Sequence, residues 1–389
     1  MTEASDSELR DYYVGGRCQC FAGGIVEAGP WRLYDMNSHY PKVMRDFDHP
    51  LSDLWESLDG PPRSKRAVWF AEFQGSNRQA IPIVTDQGLT FTLGHSRDAP
   101  GGVFRACSHE LVPALESGMV TVERWLNVLV PSKQGSLHRF VDRFYPEKMQ
   151  ATAKGDKAAA LFAKLILVSA AGKPGQNPHA FKDYRLLFDP VMDYRLRRAG
   201  YEPDLRVSEF PFIEIWSRPA ALHGQGFYNV GLAASITSAG RAELLRGLQD
   251  AQDPIYCDTD SIICRDFKGR KHRLELGAWK LECEADEVAI AGRKLYCMYD
   301  HYPKRGKHYP LAHLPAYDPL YNPQGRSGAI FPVKWASKGG DLSPMEIVKI
   351  ARGGEIEKTS EIPTYSLKHG IFMRTQKFVK TIDETVSFT

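Results

Sequence analysis

The sequence predicts a mixed α+β fold that is divided over two or three folded units. The chain has 389 residues, which is too many for one ordinary domain. Between residues 66 and 94, short apolar runs alternate with turn residues at a spacing typical of β-hairpins. Residues 157–171 (KAAALFAKLILVSAA) are instead rich in alanine and leucine, which favours a helix. Antiparallel strands beside separate helices give the α+β class.

Composition and charge describe an ordinary globular chain. Its hydrophobic fraction is 43% and its formal net charge is only +3, so any surface for a polyanion must come from local clusters of lysine and arginine. The seven cysteines are an odd number and the N-terminus is polar, which favours reduced thiols and a cytoplasmic location. Cys18 and Cys20 lack a matching downstream pair, which argues against a zinc site.

The most apolar stretch, residues 158–172, is expected to stay out of membranes. It carries Lys164 near its middle. It is also shorter than the roughly 20 residues that a spanning helix needs. We therefore expect no membrane partner.

The first half of the chain predicts strands and one helix. Residues 31–36 (WRLYDM) alternate in character and indicate a strand that ends at Asn37. Residues 108–118 predict a helix that leads into a strand over 121–125. The apolar runs of the predicted hairpins lie between the strand over 31–36 and the helix over 108–118. They are AVWFAEF (67–73), AIPIV (80–84) and LTFTL (89–93).

Beyond residue 150 the sequence predicts three helices. The helix over 157–171 ends at Gly172, with Pro174 just beyond. A second helix is predicted over 231–249. Residues 343–346 (SPME) have the pattern of a capping box with proline at the first helical position, which begins a third helix.

Two short segments place carboxylates at the ends of apolar strands. Residues 255–264 (IYCDTDSIIC) predict a tight β-hairpin with Asp258 and Asp260 at its centre. Asp35 lies near the end of the strand over 31–36. A lone aspartate at a strand end is usually a turn-former. Two aspartates this close repel each other, however, unless a cation sits between them.

The carboxylates suit divalent metal chemistry. Hard cations prefer oxygen ligands, and two-metal phosphoryl transfer uses carboxylates that hold ions about 3.5–4 Å apart. Asp35 is the best candidate for a third carboxylate from a separate strand. The sequence therefore predicts Asp35, Asp258 and Asp260 as catalytic, metal-binding residues for two Mg²⁺ (or Mn²⁺) ions.

Three ordered motifs resemble those of family B DNA polymerases. Residues 34–41 (YDMNSHYP) are similar to motif A of the family, and residues 256–261 (YCDTDS) to motif C. Between them, residues 164–175 (KLILVSAAGKPG) resemble motif B, the fingers helix. The resemblance implies a right-hand polymerase fold with an antiparallel-sheet palm, short helical fingers and a small thumb.

Three further elements extend the resemblance over nearly the whole chain. Residues 13–16 (YVGG) resemble the Tyr-x-Gly-Gly element that links the exonuclease and polymerase parts. Residues 236–241 (ITSAGR) resemble the palm helix before motif C, and residues 294–296 (KLY) the Lys-x-Tyr element that holds the primer strand.

The resemblance divides the chain into segments. They are an N-terminal segment with the Tyr-x-Gly-Gly element (1–30), palm with motif A (31–44), an insertion resembling the terminal-protein region together with palm (45–145), fingers with motif B (146–180), a second insertion for strand displacement and processivity (181–228), palm with motif C and Lys-x-Tyr (229–300), and thumb (301–389).

The resemblance also implies binding roles for single residues. The nucleotide-binding set is Lys164, Tyr40, Ser38, Lys148 and Lys154. In this set Tyr40 excludes a 2′-hydroxyl, Lys164 binds the triphosphate, and either Lys148 or Lys154 is a second phosphate contact. The DNA-binding set is Tyr13, Gly15, Gly16, Thr259, Lys294, Tyr296 and Lys338. Taken alone, several of these residues have plainer explanations. Lys164 could be a lysine whose stem lies along an amphipathic helix, Tyr40 could be a core aromatic residue, and Lys294 with Tyr296 could be a pair on an edge strand.

The C-terminal region has a basic balance. Residues 334–380 contain nine Lys/Arg against five Asp/Glu. This fits a thumb that grips the duplex backbone; a charged surface helix is the alternative.

Within family B the likeness is to the protein-primed enzymes of phages and linear plasmids. About 100 residues separate Pro41 from the approach to motif B, enough for an insertion that contacts a terminal protein. The expected partners are primer-template DNA, dNTPs and a terminal protein. Since the Tyr-x-Gly-Gly element begins at Tyr13, we expect no 3′–5′ exonuclease in cis.

The sequence departs from the family pattern in motifs A and B. Val168 and Ala171 replace the usual asparagine and tyrosine, and His39 replaces an apolar residue, which puts nucleotide selectivity in doubt. The leading hypothesis is an active DNA-directed DNA polymerase. One alternative is a catalytically weakened polymerase fold that binds DNA or a terminal protein, and another is a translesion polymerase.

Overall fold

The computed structural model describes most of the chain. The described residues are 8–52, 54–64, 67–85, 88–91, 93–176, 182–187, 191–203, 214–219, 228–272, 274–305, 307, 316–317, 329–338, 342–366 and 370–382.

The helices and strands follow one another in mixed order. The helices are α1 (His39–Asp46), α2 (Ser108–Glu116), α3 (His138–Ala153), α4 (Lys157–Gly172), α5 (Val191–Arg198), α6 (Val230–Asp250) and α7 (Pro344–Ala351). The strands are β1 (Cys18–Cys20), β2 (Gly24–Val26), β3 (Trp31–Met36), β4 (His49–Pro50), β5 (Trp55–Leu58), β6 (Phe70–Arg78), β7 (Ile83–Thr85), β8 (Gly88–Thr90), β9 (Leu93–His95), β10 (Phe104–Cys107), β11 (Val120–Pro131), β12 (Gln134–Gly135), β13 (Lys182–Leu187), β14 (Glu202–Pro203), β15 (Glu214–Pro219), β16 (Ala251–Gln252), β17 (Tyr256–Asp258), β18 (Ser261–Cys264), β19 (Asp266–Phe267), β20 (Trp279–Ala285), β21 (Glu287–Gly292), β22 (Leu295–Asp300), β23 (Ala316–Tyr317), β24 (Ala329–Ser337), β25 (Ile356–Ser366) and β26 (Gly370–Lys380).

Two five-stranded antiparallel sheets carry the predicted palm residues. The first has the order β1-β17-β18-β3-β20 and the second the order β2-β21-β22-β24-β23. Trp31 and Tyr256 of the first sheet share a buried core with Val288 and Met298 of the second. Burial of this apolar layer between the sheets holds the motif A and motif C strands in place.

Helix α6 is buried over most of its length from Val230 to Leu244 and is more exposed beyond it. Along its length it presents small residues, among them Gly240 and Gly247. A Cβ atom on Gly247 would lie 2.4 Å from the ring of Trp279, and one on Gly240 would lie 3.1 Å from the ring of His39. These small residues therefore allow α6 to approach both the first sheet and helix α1 closely.

The segment between motifs A and B forms a sheet with its own core. Its strands have the order β10-β6-β11-β5, with β9 paired to β6. Helix α2 contributes Leu111 to a core that includes Trp69, Phe73 and Phe104. The predicted helix over 108–118 and the strand after it are confirmed. Among the described residues of the apolar runs before them, β7 and β8 pair with each other as a hairpin, whereas β6 pairs with β9, β10 and β11.

Helices α3 and α4 are joined by a three-residue turn and form an antiparallel pair. Asp156 caps α4, because its side chain accepts a hydrogen bond from the N–H of Ala159 at 3.0 Å. The predicted helix over 157–171 is confirmed. With the 3₁₀ turn that follows it, the helical stretch Lys157–Gly175 has 19 residues and a mean hydropathy of 1.3.

That stretch is long and apolar enough to cross a membrane by length and composition alone, although only 28% of it is buried. The expectation that it is too short was therefore wrong. The expectation considered only residues 158–172, whereas the 3₁₀ turn at Lys173–Gly175 extends the helical segment beyond them. A single match of this kind is weak evidence for a membrane span, and the absence of a membrane partner stays a prediction.

The remaining helix predictions are also confirmed. Helix α6 covers the predicted segment 231–249, and α7 begins with the predicted capping box, in which Ser343 and Glu346 bond each other's backbone N–H groups. The chain divides into two compact units. One contains residues 1–175, 229–356 and 380–389, and the other contains residues 176–228 and 357–379. Strands β13, β15 and β14 form a sheet in the second unit. The domain boundaries given above stay a prediction.

Candidate active site in the first palm sheet

The strand register of the first sheet brings motif A and motif C together. Strand β18 lies between β17 and β3, so that Ser261 is opposite both Asp258 and Asp35. The backbone N–H of Met36 also donates to the carbonyl of Asp260 at 2.7 Å. The three predicted aspartates therefore lie at one edge of a single sheet.

The motif C hairpin is tight and is held by the N-terminal strand. Thr259 adopts a left-handed backbone with φ 56°, and its N–H donates to the carbonyl of Arg17 at 2.7 Å. Strand β1 pairs with β17 so that Cys18 is opposite Asp258. A threonine at positive φ is strained, so these contacts hold the turn in a conformation that it would otherwise avoid.

Burial raises the pKa of two of the aspartates, and the charges of the other aspartates act on Asp260. Burial, together with the charges of Asp35 and Asp258, raises the pKa of Asp260 to about 6. Burial also raises the pKa of Asp35, although the Lys280 ammonium opposes that shift. The contribution of Asp35 and Asp258 to the pKa shift of Asp260 indicates that their carboxylates lie close to it, which suits oxygen ligands to a divalent cation.

The third carboxylate is paired with a lysine. The Lys294 ammonium lies 2.5 Å from both carboxylate oxygens of Asp258. Among the residues that the structure describes, no three His, Cys, Asp or Glu side chains form a group that could hold a metal ion. The metal role of the three aspartates therefore stays a prediction, and Asp35 and Asp260 fit it better than Asp258.

The Lys-x-Tyr element lies directly beside motif C. Lys294 has a left-handed backbone with φ 59°, and its N–H donates to the hydroxyl of Tyr256 at 3.0 Å. The ring of Tyr296 packs on the ring of Tyr256 at 4.9 Å between centroids. Tyr296 is only 6% exposed, so it supports this corner of the site from within the core. Lys338 is exposed, and its N–H donates to the carbonyl of Lys294 at 3.0 Å.

A lysine from the helix pair reaches motif A. Ser38 precedes α1 with φ 51°, and its hydroxyl accepts a hydrogen bond from the Lys148 ammonium at 2.6 Å. Burial lowers the pKa of Lys148, and the charges of Lys164 and Lys280 lower it further. Lys164 is exposed on α4. Lys154 is exposed at the C-terminal end of α3, in the turn between the helices.

Tyr40 is half-buried and packs against His39. Burial raises its pKa, with smaller effects from the charges of Arg241 and Asp260. Its ring stacks on that of His39 at 5.5 Å. His39 is 2% exposed, and neither of its ring nitrogens has a hydrogen-bond partner in the described part of the chain.

The Tyr-x-Gly-Gly element touches both motif B and motif C. A Cβ atom on Gly175 would lie 2.4 Å from the ring of Tyr13, and one on Gly16 would lie 2.7 Å from the hydroxyl of Thr259. A Cβ atom on Gly15 would meet nothing within 4 Å. Glycine is therefore required at positions 16 and 175, because a side chain there would clash with Thr259 or with Tyr13.

Motif B departs from the family pattern for a reason that the structure explains in part. Ala171 is 6% exposed and packs in a core with Val43, Val141 and Ile236. A tyrosine would not fit there without rearrangement. Val168 is 44% exposed, and nothing in the structure explains why valine stands there.

Three site residues had no assigned role from sequence. Arg241 lies within residues 236–241, which resemble the palm helix before motif C, so this motif could have drawn attention to it. Glu110 and Lys280 lie outside every recognised motif, and nothing local distinguishes them. Arg241 and Glu110 form a buried ion pair at 2.7 Å, and Lys280 lies 3.7 Å from Asp35.

Comparison with known proteins places these features in a family. A family model described as DNA polymerase type B, organellar and viral, matches residues 1–225. The DNA-directed DNA polymerase of Enterobacteria phage PRD1 is 37% identical over 296 residues, which are 76% of this chain and 50% of that protein. A probable DNA polymerase of Ascobolus immersus is 25% identical over 74% of this chain and 24% of that protein.

The fold matches that of a solved polymerase. Phi29 DNA polymerase complexed with primer-template DNA and incoming nucleotide substrates aligns with a TM-score of 0.64 at 18% identity, over 98% of this chain and 63% of that chain. The likeness confirms the predicted α+β, right-hand fold. The chain spans about half the length of the PRD1 relative.

Proposed function

Because this chain belongs to the organellar and viral type B DNA polymerases, we propose that it is a DNA-directed DNA polymerase. The observation that carries the proposal is the register of the first sheet. It sets Asp35 of motif A and Asp258 of motif C both opposite Ser261, with Asp260 hydrogen-bonded through its carbonyl to Met36. Nucleotidyl transfer needs carboxylates in this arrangement.

The donor set fits hard divalent cations. Asp35 and Asp260 present oxygen ligands in a partly buried position where their charges repel. We assign Mg²⁺ or Mn²⁺ binding to these two residues. The chemistry that bound ions supply is activation of the attacking hydroxyl and stabilisation of the leaving pyrophosphate.

The other residues bind and orient the substrates. The primer 3′-hydroxyl attacks the α-phosphate of the nucleotide in line, and pyrophosphate leaves. Lys148 and Lys164 neutralise charge on the triphosphate, and Tyr40 lies beneath the incoming sugar. Lys294 contacts the primer terminus, and its contact with both oxygens of Asp258 fixes the direction of its side chain.

The proposed partners are primer-template DNA and dNTPs. Phi29 DNA polymerase has been solved with both, and the PRD1 relative is a phage enzyme. We further propose protein-primed replication. The sheet between motifs A and B, which has a core of its own, supports this as a surface for a terminal protein.

Primer extension with Mg²⁺ or Mn²⁺ tests the proposal. We expect incorporation by the wild type and background incorporation by Asp260→Asn, with template affinity retained. Asp142→Asn, which changes an exposed carboxylate on α3, is the matched control and should extend primers normally. Equal incorporation by the wild type and Asp260→Asn would refute the site. Template binding without incorporation under either metal would refute the activity and leave a DNA-binding module.

A further inference from the structure

Lys280 lies across the sheet from the motif A aspartate. Strand β20 pairs with β3 so that Lys280 is opposite Asp35. The Lys280 ammonium is 3.7 Å from a carboxylate oxygen of Asp35 and 2.6 Å from one of Glu282. Its side chain is one-third exposed, so it can also reach a ligand in solution.

A second ammonium reaches the end of the same strand from the helix pair. Ser38 follows Asp35 by three residues and accepts a hydrogen bond from Lys148 at 2.6 Å. Lys148 and Lys280 thus contact neighbouring points on motif A from different elements. The charges of Lys164 and Lys280 both lower the pKa of Lys148, so each of these two ammonium groups lies within electrostatic range of Lys148.

Three lysines that converge in this way repel one another unless anionic charge sits among them. The carboxylates that Lys280 contacts, Asp35 and Glu282, offset part of this repulsion. One of the two, Asp35, is the residue that the proposed function assigns to a cation. A polyphosphate is the ligand whose charge suits the three lysines together.

We propose that Lys280 is a triphosphate-binding residue supplied by the palm, which acts with Lys148 and Lys164 of the helix pair. The inference rests on the proposed function and deepens it. Lysine binds phosphate as a compact point charge on a flexible stem. The contact with Asp35 places this charge beside the carboxylate that faces the reacting phosphate.

Binding of inorganic tripolyphosphate in the presence of EDTA tests Lys280 without catalysis. Isothermal titration calorimetry of the full chain would compare the wild type with Lys280→Met, Lys280→Arg and Lys334→Met. Lys334 is the matched control, because its charge also acts on the pKa of Asp35 but it comes from β24. We expect Lys280→Met to weaken binding about tenfold, Lys280→Arg to restore part of it, and Lys334→Met to have little effect.

Primer extension supplies the second measurement. Lys280→Met should raise the KM for dNTP with a smaller change in kcat, and the Kd for primer-template, measured by fluorescence anisotropy, should stay the same. A circular dichroism melt would establish that each variant is folded.

Three outcomes would overturn the proposal. One is unchanged tripolyphosphate affinity in Lys280→Met. Another is an equal loss in Lys334→Met, which would indicate a general effect of charge. The third is a loss of DNA affinity alone, which would make the ligand a backbone phosphate. A chain that binds tripolyphosphate through Lys280 but never incorporates nucleotide would refute the polymerase activity and leave the binding site standing.

Discussion

The guanidinium of Arg241 and the carboxylate of Glu110 form a two-point ion pair in which both side chains are 2% exposed. The two hydrogen bonds measure 2.8 and 2.7 Å. The remaining guanidinium nitrogen donates to the carbonyls of Val14 and Gly15 at 2.8 and 2.9 Å. One buried cation thus joins helix α6, helix α2 and the Tyr-x-Gly-Gly loop.

Glu110→Gln should destabilise the protein strongly. The variant leaves the Arg241 charge buried without its counterion, which costs about 3–5 kcal/mol. Urea unfolding followed by circular dichroism measures the loss. Glu116→Gln, an exposed change on the same helix, should shift the free energy of unfolding by less than about 0.5 kcal/mol. Similar values for the two variants would show that the ion pair contributes little.

Gly16→Ala should disturb the motif C turn. Its Cβ atom would lie 2.7 Å from the hydroxyl of Thr259 and 2.9 Å from its methyl group. Thr259 is held at positive φ and cannot yield freely, so we expect a loss of about 1–3 kcal/mol in stability together with lower primer-extension activity.

The neighbouring glycine supplies the control for Gly16→Ala. Gly15→Ala places its Cβ in open space and should change the free energy of unfolding by less than about 0.5 kcal/mol. Adding Thr259→Ser to Gly16→Ala removes the methyl group and should recover part of the loss. If Gly15→Ala and Gly16→Ala behave alike, close packing on Thr259 is not the cause.

Lys148 and Lys154 should differ in nucleotide binding. Lys148 contacts Ser38 of motif A at 2.6 Å, whereas Lys154 is exposed in the turn between α3 and α4. We expect Lys148→Met to raise the KM for dNTP about tenfold and Lys154→Met to change it less than about twofold. Steady-state primer extension measures both. If Lys154→Met raised the KM for dNTP more than Lys148→Met, Lys154 and not Lys148 would be the nucleotide-binding lysine.

Two buried histidines, His39 and His49, and the half-buried His109 should make the protein sensitive to acid. Burial lowers the pKa of His39 and His109 to about 4 and that of His49 to about 3. The unfolded chain therefore binds these protons at a higher pH than the folded chain, near pH 6.5. The neutral histidines contribute fully to the free energy of unfolding above about pH 6.5, and this contribution is lost as the pH falls towards 4. At pH 5 the loss amounts to about 2 kcal/mol per histidine.

His39→Leu isolates this effect. Asp260 acts in the opposite sense, because its raised pKa adds stability as the pH falls. The difference between the variant and the wild type removes that contribution. Urea unfolding at pH 7.5, 6.0 and 5.0 should show a smaller loss in His39→Leu. Parallel pH profiles would mean that His39 takes up its proton in the folded state.

Much of the fold could be predicted from the sequence because its signals are local. The Asp-Thr-Asp hairpin, the capping box at Ser343 and the fingers helix each depend on residues within a few positions of one another. The motif order then predicted the architecture that the solved polymerase fold confirms. The helical stretch at 157–175 was misjudged in length because a 3₁₀ turn has no periodic signal.

The tertiary structure alone decided the partners of the site residues. Arg241 and Glu110 are 131 residues apart in the chain, and Lys280 meets Asp35 only through strand pairing. Neither contact leaves a pattern in the surrounding sequence, because each depends on how the strands and helices pack. The sequence thus determined which carboxylates carry the proposed chemistry. Packing decided which charges surround them, because electrostatic interactions depend on distances in space.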